Sequence, residues 1–106
     1  MTLESTLPNI LASEGIRLHE NAKDKKNDGD YSEAIKLFYD ASCRLESEID
    51  GFDQGSEERN SLLRKLQDCY HKLSVAAFLN DLPEEDSVAY VKRAIEITKE
   101  LETDSN

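Results

Sequence analysis

The residues of this 106-residue chain best suited to nucleophilic or acid–base work are two histidines and two cysteines. Cys69 and His71 stand close in sequence, as a thiol and its base must stand in space. On a helix, however, side chains two positions apart point about 200° away from each other, so these two cannot pair. His71, and equally His19, therefore reads as a histidine on a polar face. The run Asp24-Lys25-Lys26-Asn27-Asp28-Gly29 invites a calcium loop, with Asp24, Asp28 and Gly29 in its first, fifth and sixth places. Lys26 in the third place, and Ile35 where a bidentate glutamate is needed, remove that reading. A helix stop followed by a capped helix start explains every residue of the run. No Cys/His spacing suits zinc. Asn27–Asp30 is too short for a phosphate loop and lacks a following Lys-Ser/Thr. The sequence thus predicts no enzyme, no metal site and no cofactor. Cys43 and Cys69 read as reduced, half-buried residues of a cytoplasmic or nuclear protein, with a disulfide open if two helices bring them together.

Charge narrows the partners. The net charge is −10, from 23 acids against 13 bases, with the acids concentrated over residues 31–60. Nucleic acid needs a basic face, and an anionic membrane surface needs a basic segment, so neither is expected. No apolar run approaches the ~18 residues of a membrane span. Met1–Leu11 has neither the basic nor the apolar region of a secretory signal.

Any site must be positioned by helices. Apolar residues recur with helical pitch in four blocks: about Pro8 to Lys26, Asp30 to Asp50, Ser56 to Leu79 and Pro83 to Glu102. Asp30 and Glu33 form a plausible capping box ahead of the clearest stripe, Tyr31, Ala34, Ile35, Phe38, Ser42, Leu45 and Ile49. Ser56 suits a cap before Glu57 and Glu58. The third stripe is Leu62, Leu66, Cys69, Leu73, Ala76 and Ala77, widened by Leu63, Tyr70 and Phe78. The fourth is Val88, Val91, Ala94, Ile95, Thr98 and Leu101. Turns of about three residues force neighbouring helices antiparallel. The expected fold is all-α: four antiparallel helices forming two stacked helix-turn-helix hairpins. Residues 1–7 read as an N-terminal extension, 8–102 as a single helical domain and 103–106 as a frayed tail. Ala22, Ala34 and Ala41 are small where paired helices could cross closely.

Gly15, Leu18, Ala22, Gly29, Ala34, Phe38 and Ala41 resemble a tetratricopeptide (TPR) repeat, although Asn21 and Lys25 depart from its pattern. Residues 68–101 resemble a second, weaker repeat through Phe78, Ser87 and Ala94. Ile16, Leu18, Ala22, Gly29, Tyr31, Ala34 and Ala41, with Arg64 and Tyr70, are also similar to the microtubule-interacting and trafficking (MIT) domain, which does not account for a fourth helix. Both resemblances imply a non-catalytic adaptor that docks a peptide or helix of another protein.

The TPR resemblance places a partner-binding face on the first and third helices. It would comprise Ile16, His19, Lys23 and Lys26 with Lys65 and Lys72, a basic face suited to an acidic segment or a C-terminal carboxylate. His19, Lys23 and Leu73 depart from the residues of the family's chaperone-tail clamp, so that ligand is not expected. The MIT resemblance implies tails of endosomal-sorting filament proteins, met by Asp68, Glu46 and Glu48. Leu37, Tyr39, Tyr90 and Ile97 are further candidates for a contact surface. A purely structural role, with the outer faces mediating self-association, is the third reading.

Overall fold

The first helix starts where Ser13 stops being helical. Its backbone is extended (φ −64°, ψ 119°), and its hydroxyl accepts the Ile16 amide at 3.1 Å. The computed structural model describes residues 13–79 and 84–104. Helix α1 is Glu14–Asn27, so it begins later than the Pro8 start that the sequence suggests. Pro8, Leu7 and Leu11 lie outside the described residues, as does the Asn80–Pro83 turn. Gly29 ends the α1 turn with φ +84°, a left-handed conformation that glycine adopts without steric cost.

Asp30 then caps α2, Tyr31–Ile49, by accepting the Glu33 amide at 3.4 Å, the forward half of the predicted capping box. Ser56 caps α3, Glu57–Leu79, through the Arg59 amide at 3.2 Å. Helix α4, Glu84–Asp104, runs two residues into the expected tail. No strand occurs among the described residues, and no described helix is long and apolar enough to cross a membrane.

The four helices form the two predicted hairpins. α1 packs along α2, α3 along α4, and α2 lies on α3, whereas α1 touches α3 only lightly. The result is a slab of 48 × 29 × 19 Å, and its thinnest dimension is room for two helix layers. Ala22, Ala34 and Ala41 are all buried at the crossings. Around them close Phe38, Leu45, Ile49, Leu62, Leu63, Leu66, Cys69 and Leu73. Each buried leucine or isoleucine contributes roughly 1.5–3 kcal/mol. Cys69 is buried, but Cys43 is exposed rather than half-buried, and both are free thiols.

One face is corrected by the structure. The periodicity of α4 points Val88, Val91 and Ile95 inward and Ile97 outward. Instead Ile97 is fully buried, with Tyr90 and Leu101 packed beside it, while Val88, Val91 and Ile95 stay 43%, 43% and 48% exposed. Helix α4 carries two apolar stripes, and polar anchors choose between them. Arg93 and Glu100 flank Ile97 at helical spacing. Arg93 reaches Glu46 of α2 at 2.6 and 2.7 Å, and Glu100 receives Arg59 of α3 at 2.8 Å. Gln67 donates to Thr98 on the same interface. Leu37 also turns toward the core instead of outward, and Phe78, expected on the α3 stripe, is exposed.

Candidate functional site

Helices α1 and α3 each carry four bases against three acids in an otherwise acidic chain, and α3 begins with two of its acids, Glu57 and Glu58. Beyond Glu58, α3 carries Arg59, Arg64, Lys65 and Lys72 against the single acid Asp68. Its outer ridge divides two troughs. One, of about 430 Å³, lies between α1 and α3 and is lined by Lys23, Lys65, Lys72, Arg64, Asp68 and His19. The other, of about 530 Å³, lies between α3 and α4. Its α3 bank is polar, with Arg64, Gln67, Asp68 and His71; its α4 bank is Val91, Ala94, Ile95 and Thr98. Arg64 and Asp68 border both troughs.

The structure thus brings together four of the six residues that the sequence assigns to a binding face: His19, Lys23, Lys65 and Lys72. Ile16 is half-buried against the core, and Lys26 lines a different groove, beside Tyr31, Phe38 and Leu79, that shares only Lys72 with the other four. Arg64 was assigned no part in this basic face, although its place at i−1 to Lys65 puts a cation on the neighbouring flank of α3.

His19 corrects the reading of a solvated histidine. It is 2% exposed, its ring meets Phe38 edge-on at 5.9 Å, and Nε2 lies 2.7 Å from an Asp68 oxygen. Its Nδ1 is buried with no hydrogen-bond partner among the described residues. Burial pushes the His19 pKa below its ordinary value against the pull of Asp68. The side chain that a polar-face assignment would offer to a partner is instead a strut between α1 and α3. Asp68 also takes Lys72 at 2.9 Å. Burial alone would raise its carboxyl, but the bonds from His19 and Lys72 bring it below the usual carboxylate range.

The other acids near this face are likewise engaged. Burial would raise Glu46, yet Arg93 and the Tyr70 hydroxyl, which donates at 2.8 Å, hold it low. Glu48 caps the start of α1, accepting Ser13 Oγ at 2.6 Å and the Glu14 and Gly15 amides at 3.2 and 3.3 Å. Arg59 donates to Glu100 and to the Ile49 carbonyl at 2.9 Å, pinning the 50–56 loop to α3 and α4. By contrast Lys23, Arg64 and Lys65, and Lys92 and Lys99 on α4, have no ion pair among the described residues. The acids face inward to partners, and these cations face out. Among the described residues no cluster of three or more His, Cys, Asp or Glu could hold a metal ion.

Compared with known proteins, the chain matches no family model, no curated protein and no solved structure. The family resemblances read from the sequence therefore rest on the sequence and on a four-helix, all-α fold compatible with either.

Proposed function

We propose that this is a non-catalytic protein–protein interaction module, an adaptor or scaffold domain that docks a peptide or helix of a partner protein. The observation that carries the reading is the row Val88, Val91 and Ile95, each more than two-fifths exposed, of which Val91 and Ile95 line an open groove. A helix with one apolar stripe in the core gains nothing for folding from a second one left in water, and contiguous apolar surface of this kind marks interaction sites. Chemistry has little to work with in the described residues. The Cys69 thiol is buried and pushed up to about 12, and His19 is locked against Asp68.

The finer reading is a TPR-like domain, supported by the stacked hairpins, the Gly29 turn and the buried alanines at the crossings. The alternative is an MIT-type module binding tails of endosomal-sorting filament proteins in membrane trafficking. That reading would use Asp68, Glu46 and Glu48 to meet a basic motif, and all three carboxylates already have partners within the fold.

The test compares proteins captured by the immobilised native chain and by its Ile95→Asp variant, quantified by mass spectrometry. Capture lost selectively in the variant is the expected result. An identical set of captured proteins, with the variant still helical by circular dichroism, would overturn the proposal.

A further inference from the structure

We infer that His19 is an acid-sensitive latch between α1 and α3: uptake of a proton expels its ring from the seam and parts the two helices there. The latch is independent of the docking reading above.

The tautomer fixes where the proton must go. Nε2 lies 2.7 Å from one oxygen of Asp68. The Lys72 ammonium, 2.9 Å from the other oxygen, helps keep that carboxylate ionised. An ionised carboxylate only accepts, so Nε2 carries the hydrogen of the neutral ring. A second proton must therefore enter at Nδ1, which is buried with no hydrogen-bond partner among the described residues. In a ring 2% exposed it makes a charged N–H that nothing accepts.

The neighbours on all three helices oppose that charge. From α2 the ring meets Phe38, an apolar side chain, at 5.9 Å. The trough beside it is lined by Lys23 of α1 and by Arg64, Lys65 and Lys72 of α3, against the single carboxylate of Asp68. Lys72 already shares that carboxylate. Glu20, the next residue of α1, is exposed and does not line the trough. Burial first, then Lys65 and Lys23, hold the His19 pKa below its ordinary value against the pull of Asp68.

Packing decides which seam yields. Helix α1 is held along α2 by the buried Ala22 and by Glu48, which takes Ser13 and the first amides of α1. None of these contacts involves His19. Helix α1 touches α3 only lightly, and the His19–Asp68 bond spans that contact. Turning the ring out into water hydrates the new charge at the expense of the light seam and spares the α1–α2 hairpin. A folded-state pKa below the ordinary 6.5 means that the latch is shut above that pH and opens as pH falls through the lowered value.

The experiment is a nuclear magnetic resonance titration of the full, isotope-labelled chain from about pH 7.5 to 4.5, above the range where carboxylates take up protons. Ring nitrogen shifts of His19 report its tautomer and its midpoint. The Overhauser contact between the His19 and Phe38 rings reports whether the ring is in the seam, and far-ultraviolet circular dichroism reports the helices. At the upper pH the ring should be protonated on Nε2 and in contact with Phe38. The contact should vanish in step with protonation, at a midpoint below 6.5, with helicity unchanged. The double variant Lys23→Gln, Lys65→Gln should raise that midpoint, a shift that mere destabilisation would not single out. His19→Gln should abolish the pH dependence of the Lys65, Asp68 and Lys72 amide shifts; should that variant fail to fold, the native ring signals decide alone. A midpoint at or above 6.5, or a neutral ring protonated on Nδ1, overturns the proposal. So does a Phe38 contact that persists below the midpoint, since the ring would then take its proton in place. Loss of the contact only together with helicity also overturns it, in favour of unfolding.

Discussion

Replacing Gly15 by alanine should destabilise this protein, although alanine is the better helix former. Gly15 lies in the first turn of α1, and by propensity alone the exchange would gain up to about 1 kcal/mol. The tertiary contact reverses the sign. A Cβ at this position would stand 2.6 Å from Leu45 Cγ, 2.7 Å from Leu45 Cδ2 and 2.7 Å from a Glu48 oxygen. Ordinary carbon contacts lie at about 3.5–4.0 Å. One of the two helices must therefore move by about an ångström, and Leu45 is completely enclosed. Overpacking of this kind costs roughly 1–3 kcal/mol. The Glu48 carboxylate could swing aside more easily, but it would give up its bonds to Ser13 and to the first amides of α1, a further loss of about 0.5–1.5 kcal/mol. The net expectation is a loss of about 1–2 kcal/mol, or a fall in Tm of roughly 5–10 °C. Thermal denaturation followed by far-ultraviolet circular dichroism measures it. A Gly15→Ala variant that melts at or above the native temperature would refute the close α1–α2 crossing. Gly29→Ala offers the contrast. No described residue lies within 4 Å of the Cβ it would gain, so its loss of about 1 kcal/mol comes from the left-handed backbone.

Four further outcomes are expected. Arg93→Met should cost about 1–2 kcal/mol, because it strips Glu46 of a partner at a site only partly screened by water; in a double-mutant cycle with Glu46→Gln the double variant should lose less than the sum of the two single losses. Acidification should weaken the native chain relative to a His19→Gln variant. The His19 pKa is depressed in the folded state, so its contribution is complete above about pH 6.5 and is lost as pH falls through the folded value; a difference in urea stability that grows between pH 7 and 5 would contradict this. Asp68, Glu46 and Glu100 are also depressed, so a second decline should follow below about pH 4.5, measured by the same titration in each carboxylate's amide variant. A thiol reagent at pH 8 should label Cys43 of the native protein promptly and Cys69 only after denaturation; prompt labelling of both would mean that α3 does not bury Cys69 as described.

Much of the helix layout was legible because local chemistry sets it. Gly29, Asp30 and Ser56 act at their own positions, within three or four residues of what they cap, and a reader of the chain can find them. The α2 stripe was equally readable, since Ala34, Phe38, Ala41, Leu45 and Ile49 form its one strong apolar face. The start of α1 after Ser13 is not legible, because the apolar periodicity runs on from Pro8 and does not mark where the backbone leaves the helix. His19 was misjudged because a histidine between Leu18 and Glu20 carries no sign of the carboxylate that meets it from α3, 49 positions away. For the candidate site, the TPR resemblance is what puts Lys23, Lys65 and Lys72 on one face, whereas the α3–α4 groove could not be foreseen.

By itself the sequence determined that the chain is helical, where the turns fall and that neighbouring helices run antiparallel, since pitch, caps and short connectors are local properties. Only the tertiary structure decided which face of α4 is buried. Two apolar stripes compete there, and the choice falls to long-range pairs, Arg93 with Glu46 and Arg59 with Glu100, whose partners lie more than forty positions apart. That choice leaves Val88, Val91 and Ile95 in water, and with them the groove on which the proposed function rests.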